Sequence, residues 1–160
     1  MKCLCFSDSH GSLYNIRLAL HIHPDAEVIF YLGDGLRDIE DIVIDRSRAW
    51  FAVQGNCDYS ALLGEGFVKK TDSITLMGKR IFFTHGDLYG VKYGLDGVKK
   101  LATDHNADLV LFGHTHEPLE KYISTDESGF YLFNPGSIGT GSYGVIQISE
   151  KGILLSHGRL

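Results

Sequence analysis

The sequence contains only three cysteines, no long hydrophobic run and no excess of basic residues. A small, odd number of cysteines argues against a disulfide framework and fits a reducing compartment. No apolar run approaches the roughly 20 residues that a membrane-spanning helix needs. The formal net charge of −5 provides no general basic surface for a polyanion. We therefore expect a cytoplasmic protein with no membrane partner, and nucleic acid is not favoured as a partner.

The 160 residues are enough for one domain with a sizeable core. Apolar residues make up 44% of the chain and charged residues 22%, as in ordinary globular proteins. The sequence shows no internal repeat, linker or low-complexity tract, so we predict a single domain over residues 1–160. Cys3 and Cys5 lie two apart in a strand-like run, and we interpret them as small buried side chains rather than a metal or redox pair.

The first third of the chain alternates apolar runs of strand type with segments of helical period. The predicted strands are Lys2–Phe6, Val28–Leu32 and Trp50–Val53, and the predicted helices are Leu13–His21 and Leu36–Arg46. This βαβαβ order predicts parallel strands covered by helices. Ligands of such sheets bind at the carboxyl ends of the strands, where a polar cluster follows each of these runs.

The rest of the chain predicts a hairpin, one helix and a series of short strands. Ser73–Met77 and Arg80–Thr84 flank a typical hairpin turn, and Leu95–His105 has a helical period. Asp108–Phe112 is a further apolar strand that ends in a polar cluster. The remaining runs, which indicate an antiparallel finish, are at Tyr122, Phe130–Phe133, Val145–Ile148 and Ile153–Leu155. One α/β domain with a two-part sheet accounts for all of these elements.

Five polar motifs follow the predicted strands, and they supply seven potential metal ligands. The motifs are SDSHG, GDG, GNCD, THGD and GHTHEP, and the ligands are Asp8, His10, Asp34, Asn56, His85, His114 and His116. Carboxylate, amide and imidazole groups together suit borderline divalent cations. One ion seldom needs seven protein ligands, whereas two ions that share a carboxylate do, so the set indicates two ions. We interpret the other four histidines as surface or hydrogen-bonded side chains: His21, His23, His105 and His157.

With the NPGS turn at Asn134–Ser137, the ordered motifs resemble the calcineurin-like metallophosphoesterase superfamily. In particular they are similar to the small phosphodiesterases of the YfcE type. The resemblance extends from Asp8 to Ser137, nearly the whole chain. It implies an α/β fold, a sandwich of two mixed β-sheets flanked by helices, with a dinuclear metal centre. It also implies a metal-dependent phosphodiesterase that hydrolyses small phosphodiesters.

The resemblance assigns each potential ligand to an ion. One metal would be held by Asp8, His10, Asp34 and His116, and the other by Asp34, Asn56, His85 and His114, so that Asp34 bridges the pair. Asp34, Asn56 and His114 are also assigned to catalysis. A hydroxide between the ions is the expected nucleophile, because two cations lower the pKa of bound water. We expect Mn²⁺, with Ni²⁺, Fe²⁺, Zn²⁺ and Co²⁺ as the other candidates.

The GNCD motif departs from the pattern of many superfamily members. Cys57 stands where they carry a histidine that approaches the substrate and helps to protonate the leaving group. A thiol replaces neither the charge nor the acid function of that histidine, so we expect a preference for good leaving groups such as aryl esters. A covalent role for Cys57 is not favoured, because no base is paired with it. The role of Asp58 stays open between support of a neighbouring ligand, leaving-group protonation and capping of the following turn.

Two further departures concern the surroundings of the metals. Asp87 stands where many relatives have a second histidine, and we expect it to support His85 or a neighbour. Relatives often carry Pro-Arg after the NPGS turn, but here Ile138 and Gly139 follow, so an arginine that would contact phosphate is missing. Arg37 and Lys92 are weak candidates to replace it.

Two other functions share these motifs. One is a non-catalytic scaffold, because the small subunit of the retromer coat resembles this fold and uses it for protein contacts. The filled set of seven ligand positions favours an enzyme over that alternative. The other is a nuclease, but superfamily nucleases normally keep the extra histidine and carry added DNA-binding segments, which this acidic chain lacks. The native substrate is not determined by these residues, and a homo-oligomer is left open.

Overall fold

Ten β-strands form two sheets in the part of the chain that the structure describes. The computed structural model describes residues 1–43, 47–59, 68–126 and 129–160. The strands are β1 (Lys2–Phe6), β2 (Val28–Tyr31), β3 (Ala49–Ala52), β4 (Thr71–Leu76), β5 (Lys79–Thr84), β6 (Leu109–Leu111), β7 (Leu119–Ser124), β8 (Gly129–Asn134), β9 (Ser142–Ser149) and β10 (Gly152–Arg159). The helices are α1 (Leu13–Ile22), α2 (Leu36–Val43) and α3 (Asp96–Asp104), with short 3₁₀ turns at Asp87–Tyr89 and Ile138–Thr140.

Both sheets are mixed. The strand order is β10-β9-β1-β2-β3 in the first sheet and β4-β5-β6-β8-β7 in the second. Strands β1, β2 and β3 are parallel, as are β5, β6 and β8. The other four strands pair antiparallel with their neighbours. Each sheet therefore contains three parallel strands whose carboxyl ends lead into loops at one edge.

Three apolar clusters define the layers of the fold. One lies between the sheets and includes Cys3, Phe30 and Phe83. Leu4 and Phe6, on the opposite face of β1, pack in a second cluster with residues of α1 and α2, and α3 contributes to a third cluster on the outer face of the second sheet. Because β1, β2 and β6 are buried on both faces, they read as nearly continuous apolar runs. The architecture is a two-sheet sandwich flanked by helices, as the resemblance implied.

Cys3 and Cys5 lie in the core between the sheets. Both are fully buried and form no disulfide. Burial raises the pKa of the Cys3 thiol to about 12 and that of Cys5 well above its usual value. They are small buried side chains, as predicted.

The predicted elements differ from the structure mainly in the second half of the chain. The predicted antiparallel finish is only partly correct. Strand β9 pairs antiparallel with β1 of the first sheet, but β8 pairs parallel with β6. Local patterns do not specify partners that lie far apart in the sequence. The predicted extension of α2 to Arg46 covers residues 44–46, which lie outside the described residues. None of the described helices is long and apolar enough to cross a membrane.

Candidate metal centre

The seven potential ligands lie in the loops that follow five strands. Asp8 and His10 follow β1, Asp34 follows β2, Asn56 follows β3, His85 follows β5, and His114 and His116 follow β6. Five of them have φ angles between 44° and 69°: Asp8, His10, Asp34, His114 and His116. Residues with a side chain adopt this left-handed conformation rarely, and they keep it only where the surrounding structure enforces it. The backbone is bent at the positions that present these side chains.

The first group of potential ligands consists of Asp8, His10 and His116, which we call the open group. Their ligand atoms all lie within 4.8 Å of one another. His116 Nε2 is 3.1 Å from Asp8 Oδ1, and the Nε2 atoms of His10 and His116 are 3.4 Å apart. The side chains of His10 and His116 are 41% and 46% exposed, whereas Asp8 is fully buried. This group therefore faces solvent through its two imidazoles.

The second group consists of Asp34, His85 and His114, which we call the buried group. Their ligand atoms also lie within 4.8 Å of one another. His85 Nε2 is 3.4 Å from Asp34 Oδ2 and 3.0 Å from His114 Nδ1. Asn56 Oδ1, which was also predicted for this site, is 3.1 Å from His85 Nε2. The structure thus brings together all four ligands predicted for the second ion.

The orientation of His85 is set by the carbonyl oxygen of Leu32. His85 Nδ1 lies 2.8 Å from that oxygen, which can only accept a hydrogen bond. Nδ1 therefore carries the proton, and in the neutral imidazole Nε2 presents its lone pair to the other members of the buried group. A backbone carbonyl that fixes the tautomer in this way is typical of histidines that bind metal ions.

One oxygen of Asp8 lies between the two groups. Asp8 Oδ2 accepts hydrogen bonds from the Ser7 hydroxyl and from the His114 N–H. Asp8 Oδ1 is 3.1 Å from His116 Nε2 and 4.0 Å from His85 Nε2, but it is buried and accepts no hydrogen bond within the described residues. A buried carboxylate oxygen without a donor is costly. A divalent cation would satisfy it, so the residues present fit a metal centre.

The pKa shifts of Asp34 and His114 in the buried group also fit a metal centre. Burial alone would raise the pKa of Asp34, but hydrogen bonds with His85 and the Cys57 N–H outweigh it and hold that pKa well below its usual value. Burial would lower the pKa of His85, but its interaction with Asp34 and the charge of Asp8 give a net rise, which a cation bound at Nε2 would oppose. Burial and the charges of His85 and Lys92 lower the pKa of His114. These shifts favour the ionised form of Asp34 and the neutral form of His114, which are the forms that bind metal ions.

Asp58 joins the loop of Asp34 to the loop of Asn56. Its Oδ2 accepts the N–H groups of Asp34 and Gly55 at 2.8 and 2.9 Å. Its Oδ1 accepts those of Gly35 and Leu36 at 2.8 and 2.9 Å, at the start of α2. Of the three roles left open by the sequence, support of a neighbouring ligand agrees with these contacts. Asp58 also caps the start of α2. A cap of the turn that follows Asp58 would involve residues 60–67, which lie outside the described residues.

Asp38, in the first turn of α2, holds the loop of Asp8 and His10. Its Oδ2 accepts hydrogen bonds from the Ser9 hydroxyl and from the Gly11 N–H, on either side of His10. The sequence reasoning missed this residue. Acidic residues are common in the first turn of a helix, and the sequence around Asp38 does not indicate which loop its side chain contacts.

The NPGS turn supports two of the ligand loops. Asn134 Nδ2 donates to the Gly113 carbonyl and to Thr115 Oγ1, on either side of His114. Ser137 Oγ donates to the Asp8 carbonyl at 2.8 Å. The turn therefore lies beside the candidate metal centre.

Two glycines allow the loops to approach closely. A Cβ on Gly55 would lie 2.1 Å from Asp34 Oδ1, and one on Gly113 would lie 1.9 Å from Ser7 Oγ. Both distances are far below van der Waals contact. These positions need glycine because ligand-bearing loops pack against their backbone.

Cys57 and Asp87, which both depart from the superfamily pattern, lie close to the buried group. Cys57 is exposed, its N–H donates to Asp34 Oδ1 at 2.7 Å, and burial and Asp34 raise the pKa of its thiol. Asp87 was expected to support His85 or a neighbour, and the carbonyl oxygen of Leu32 orients His85. The charge of Asp87 acts instead on His114, whose pKa it raises against the dominant effect of burial.

The other four histidines lie outside both groups. His23 is hydrogen-bonded to the Tyr143 hydroxyl at 3.0 Å, and His157 to the Asn134 carbonyl at 2.8 Å. His105 stacks on Phe82, and His21 is exposed at the end of α1. Their placement agrees with the interpretation as surface or hydrogen-bonded side chains.

Comparisons with curated proteins find phosphoesterases. The chain is 29% identical over 139 residues to probable metallophosphoesterase YsnB of Bacillus subtilis, covering 86% of this chain and 75% of that protein. It is 27% identical over 157 residues to phosphodiesterase YfcE of Escherichia coli K12, covering 86% and 79%.

Solved structures share the fold over the whole chain. A predicted phosphoesterase from Streptococcus pneumoniae TIGR4 has a TM-score of 0.80 and 20% identity, covering 99% of this chain and 88% of that one. Vps29 of Entamoeba histolytica with bound Zn²⁺ has a TM-score of 0.77 and 17% identity, covering 100% and 98%. At these identities the likeness establishes the fold alone.

The family is established by a match along most of the sequence. The family model described as "Calcineurin-like phosphoesterase superfamily domain" matches residues 1–151. Those residues include both ligand groups and the loops that hold them. The chain therefore belongs to the calcineurin-like phosphoesterase superfamily.

Proposed function

We propose that this protein is a metal-dependent phosphodiesterase that hydrolyses small phosphodiesters. The observation that carries the proposal is the convergence of the open group and the buried group, joined by the unpartnered oxygen of Asp8, at one edge of the sandwich. Membership of the phosphoesterase superfamily supports hydrolysis of a phosphate ester. The similarity to a phosphodiesterase from Escherichia coli supports a diester as the substrate.

The proposal includes a dinuclear centre with one divalent ion in each group. Asn56 completes the buried group, and Asp34 is the proposed bridge. Mn²⁺ is the first candidate, because a mixed set of carboxylate, amide and imidazole ligands suits ions of this type. When bound, such ions supply a water nucleophile of lowered pKa and positive charge toward the phosphate oxygens.

The residues of the chain would contribute charge and orientation. Asp34 is held ionised, and His85 is held by Leu32 with Nε2 toward the site. Asn56 adds a neutral oxygen, which keeps the centre more attractive to an anionic diester than a third carboxylate would. We assign Asp34, Asn56 and His114 to catalysis because they face His85 Nε2 from three separate loops. The exposed imidazoles of His10 and His116 leave the open group accessible from solvent.

A non-catalytic scaffold is the alternative that one observation favours. Vps29 of Entamoeba histolytica shares the fold over the whole chain. A scaffold has no need for both ligand groups, however, and each of the seven predicted ligand positions carries a residue that can bind a metal ion.

Hydrolysis of bis(4-nitrophenyl) phosphate tests the proposal directly. Purified protein is assayed with Mn²⁺, Ni²⁺ and Zn²⁺ in turn, beside Asp34→Ala and Asn56→Ala. We expect metal-dependent release of 4-nitrophenolate that both substitutions abolish while circular dichroism shows the folded state. A folded protein that binds the ions but releases no product with any of them would support the scaffold.

A further inference from the structure

A loop beside the buried group is anchored by Val91. This segment, which we call the 86–95 loop, connects His85 with α3. The Val91 N–H donates to the Gly86 carbonyl at 3.4 Å, so the loop folds back on its own start. Val91 is buried, and a Cβ on Gly86 would lie 2.8 Å from its Cγ2 and 3.6 Å from the Gly113 carbonyl oxygen. The loop therefore packs where the two histidine-bearing loops of the buried group meet.

Lys92 follows this anchor directly and is exposed. Its ammonium forms no hydrogen bond or ion pair with the described residues, yet it lies within electrostatic range of His114. After burial and the charge of His85, the charge of Lys92 lowers the pKa of His114, and it does so more strongly than Asp87 raises it. One oxygen of Asp87 is also buried. The exposed charge of the 86–95 loop beside the centre is therefore the positive charge of Lys92.

Other cationic side chains near the candidate metal centre are already engaged. Lys70 Nζ donates to the Gly55 carbonyl at 3.3 Å. Arg37, which lies in the wall of a small cavity beside Asp34, already has an interaction within the protein. Of these three cations, Lys92 is the one whose donors the described residues leave unused. Lys92 therefore keeps its donors for a group that the chain itself does not supply.

We propose that Lys92 is a substrate-binding residue whose ammonium contacts a non-bridging oxygen of the phosphate at the candidate metal centre. Lysine binds phosphate as a point charge on a flexible stem, so it reaches an oxygen without the fixed geometry of a guanidinium. The inference rests on the proposed function, and it adds a residue that neither ligand group contains. It predicts that phosphate affinity depends on the charge at position 92.

Calorimetric titration of inorganic phosphate into the Mn²⁺-loaded protein tests this contact without relying on turnover. A hydrogen bond to a charged group contributes roughly tenfold or more in affinity, so Lys92→Met should weaken phosphate binding by about tenfold. Lys92→Arg keeps the charge and should keep most of the affinity. Lys151→Met is the matched control, because Lys151 is exposed in the turn between β9 and β10, beside the start of β1 and at the opposite end of the sheet from the ligand loops. Salt screens a charge at that distance, so this variant should stay within about twofold of the parent protein.

A titration with Mn²⁺ separates a contact with phosphate from support of His114. Lys92→Met should bind Mn²⁺ at least as tightly as the parent protein, because the substitution removes a positive charge near the centre. Phosphate affinity that is equal in Lys92→Met and the parent, or that is absent from the parent, overturns the inference. A loss of phosphate binding that follows from weaker Mn²⁺ binding also overturns it. Phosphate binding that depends on Lys92, without hydrolysis of any diester, would contradict the proposed function and leave this contact standing.

Discussion

The two ligand groups differ in their exposure and in how the protein holds them. In the open group, two imidazoles are nearly half exposed and face each other across 3.4 Å. In the buried group, His85 is fully buried and hydrogen-bonded to a backbone carbonyl, and Asp34 is only 4% exposed. One carboxylate, Asp8, contacts both groups.

The difference indicates that the two groups have different roles within one centre. Buried polar groups are expensive unless they are satisfied, so the buried group must be fixed before an ion binds. Exposed imidazoles cost little when they move, so the open group can exchange an ion or admit a substrate. We therefore expect the buried group to affect folding stability as well as metal binding, and the two exposed imidazoles of the open group to affect metal binding alone.

The largest expected effect comes from removing one histidine of each group. His85→Ala leaves the Leu32 carbonyl without its donor and should lower the free energy of unfolding by about 1 to 3 kcal/mol in metal-free buffer. His116→Ala removes a surface side chain and should change it by no more than about 0.5 kcal/mol. Both variants should lose one of two Mn²⁺ binding steps and more than about 100-fold in hydrolysis, since even outer partners of ligands contribute 10- to 100-fold.

Thermal unfolding without metal and calorimetric titration with Mn²⁺ measure the two quantities separately. Equal destabilisation by His85→Ala and His116→Ala would show that the two groups are held alike. That result would contradict the proposed difference between their roles.

A smaller effect is expected from Asp58→Asn, compared with Asp38→Asn. Each oxygen of Asp58 accepts two backbone N–H groups, so whichever way an amide turns, its NH₂ faces two donors. At Asp38 one oxygen accepts both donors, and an amide oxygen can take its place. We expect Asp58→Asn to weaken Mn²⁺ binding at the buried group by about 10- to 100-fold, and Asp38→Asn to have a clearly smaller effect.

Excess metal distinguishes a positioning role of Asp58 from simple unfolding. If Asp58 positions Asp34 and Asn56, a raised Mn²⁺ concentration should restore hydrolysis in Asp58→Asn. Activity that stays low at saturating Mn²⁺, or an equal loss in Asp38→Asn, would be against the positioning role.

The smallest effect is expected from Cys57→His, which changes a neighbour of the buried group without removing a ligand. An imidazole at this position could protonate a leaving group. Well-positioned acid catalysis raises the rate by about 10²- to 10⁴-fold. A transplanted imidazole should give no more than about tenfold, and only on alkyl esters, whose leaving groups need a proton. The test measures hydrolysis rates of Cys57→His and of the parent protein on matched aryl and alkyl diesters, none of which carries a 4-nitrophenyl group. A uniform change on both classes would contradict the idea.

Much of the candidate site could be predicted because its residues follow apolar strands. The carboxyl ends of parallel strands meet at one edge, so Asp8, Asp34 and His85 were expected together although they lie far apart in the chain. The order of the motifs indicated the family, and the family resemblance predicted the two-sheet sandwich. The assignment of Asp34 as a bridge, the identity of the ions and the cytoplasmic location stay predictions.

The sequence by itself determined which residue types meet at the centre, since strand periodicity and polar motifs are local properties of the chain. Only the tertiary structure decided how they are held. Asp58 and Asp38 accept hydrogen bonds from loops that lie more than twenty positions away, and the parallel pairing of β6 with β8 depends on partners beyond any local pattern. Asn56 lies beside His85, in the place that GNCD suggested, whereas Asp58, two positions later, accepts backbone N–H groups. Such contacts depend on long-range packing. The local sequence around an aspartate is the same whether its carboxylate binds a metal ion, faces solvent or accepts four N–H groups.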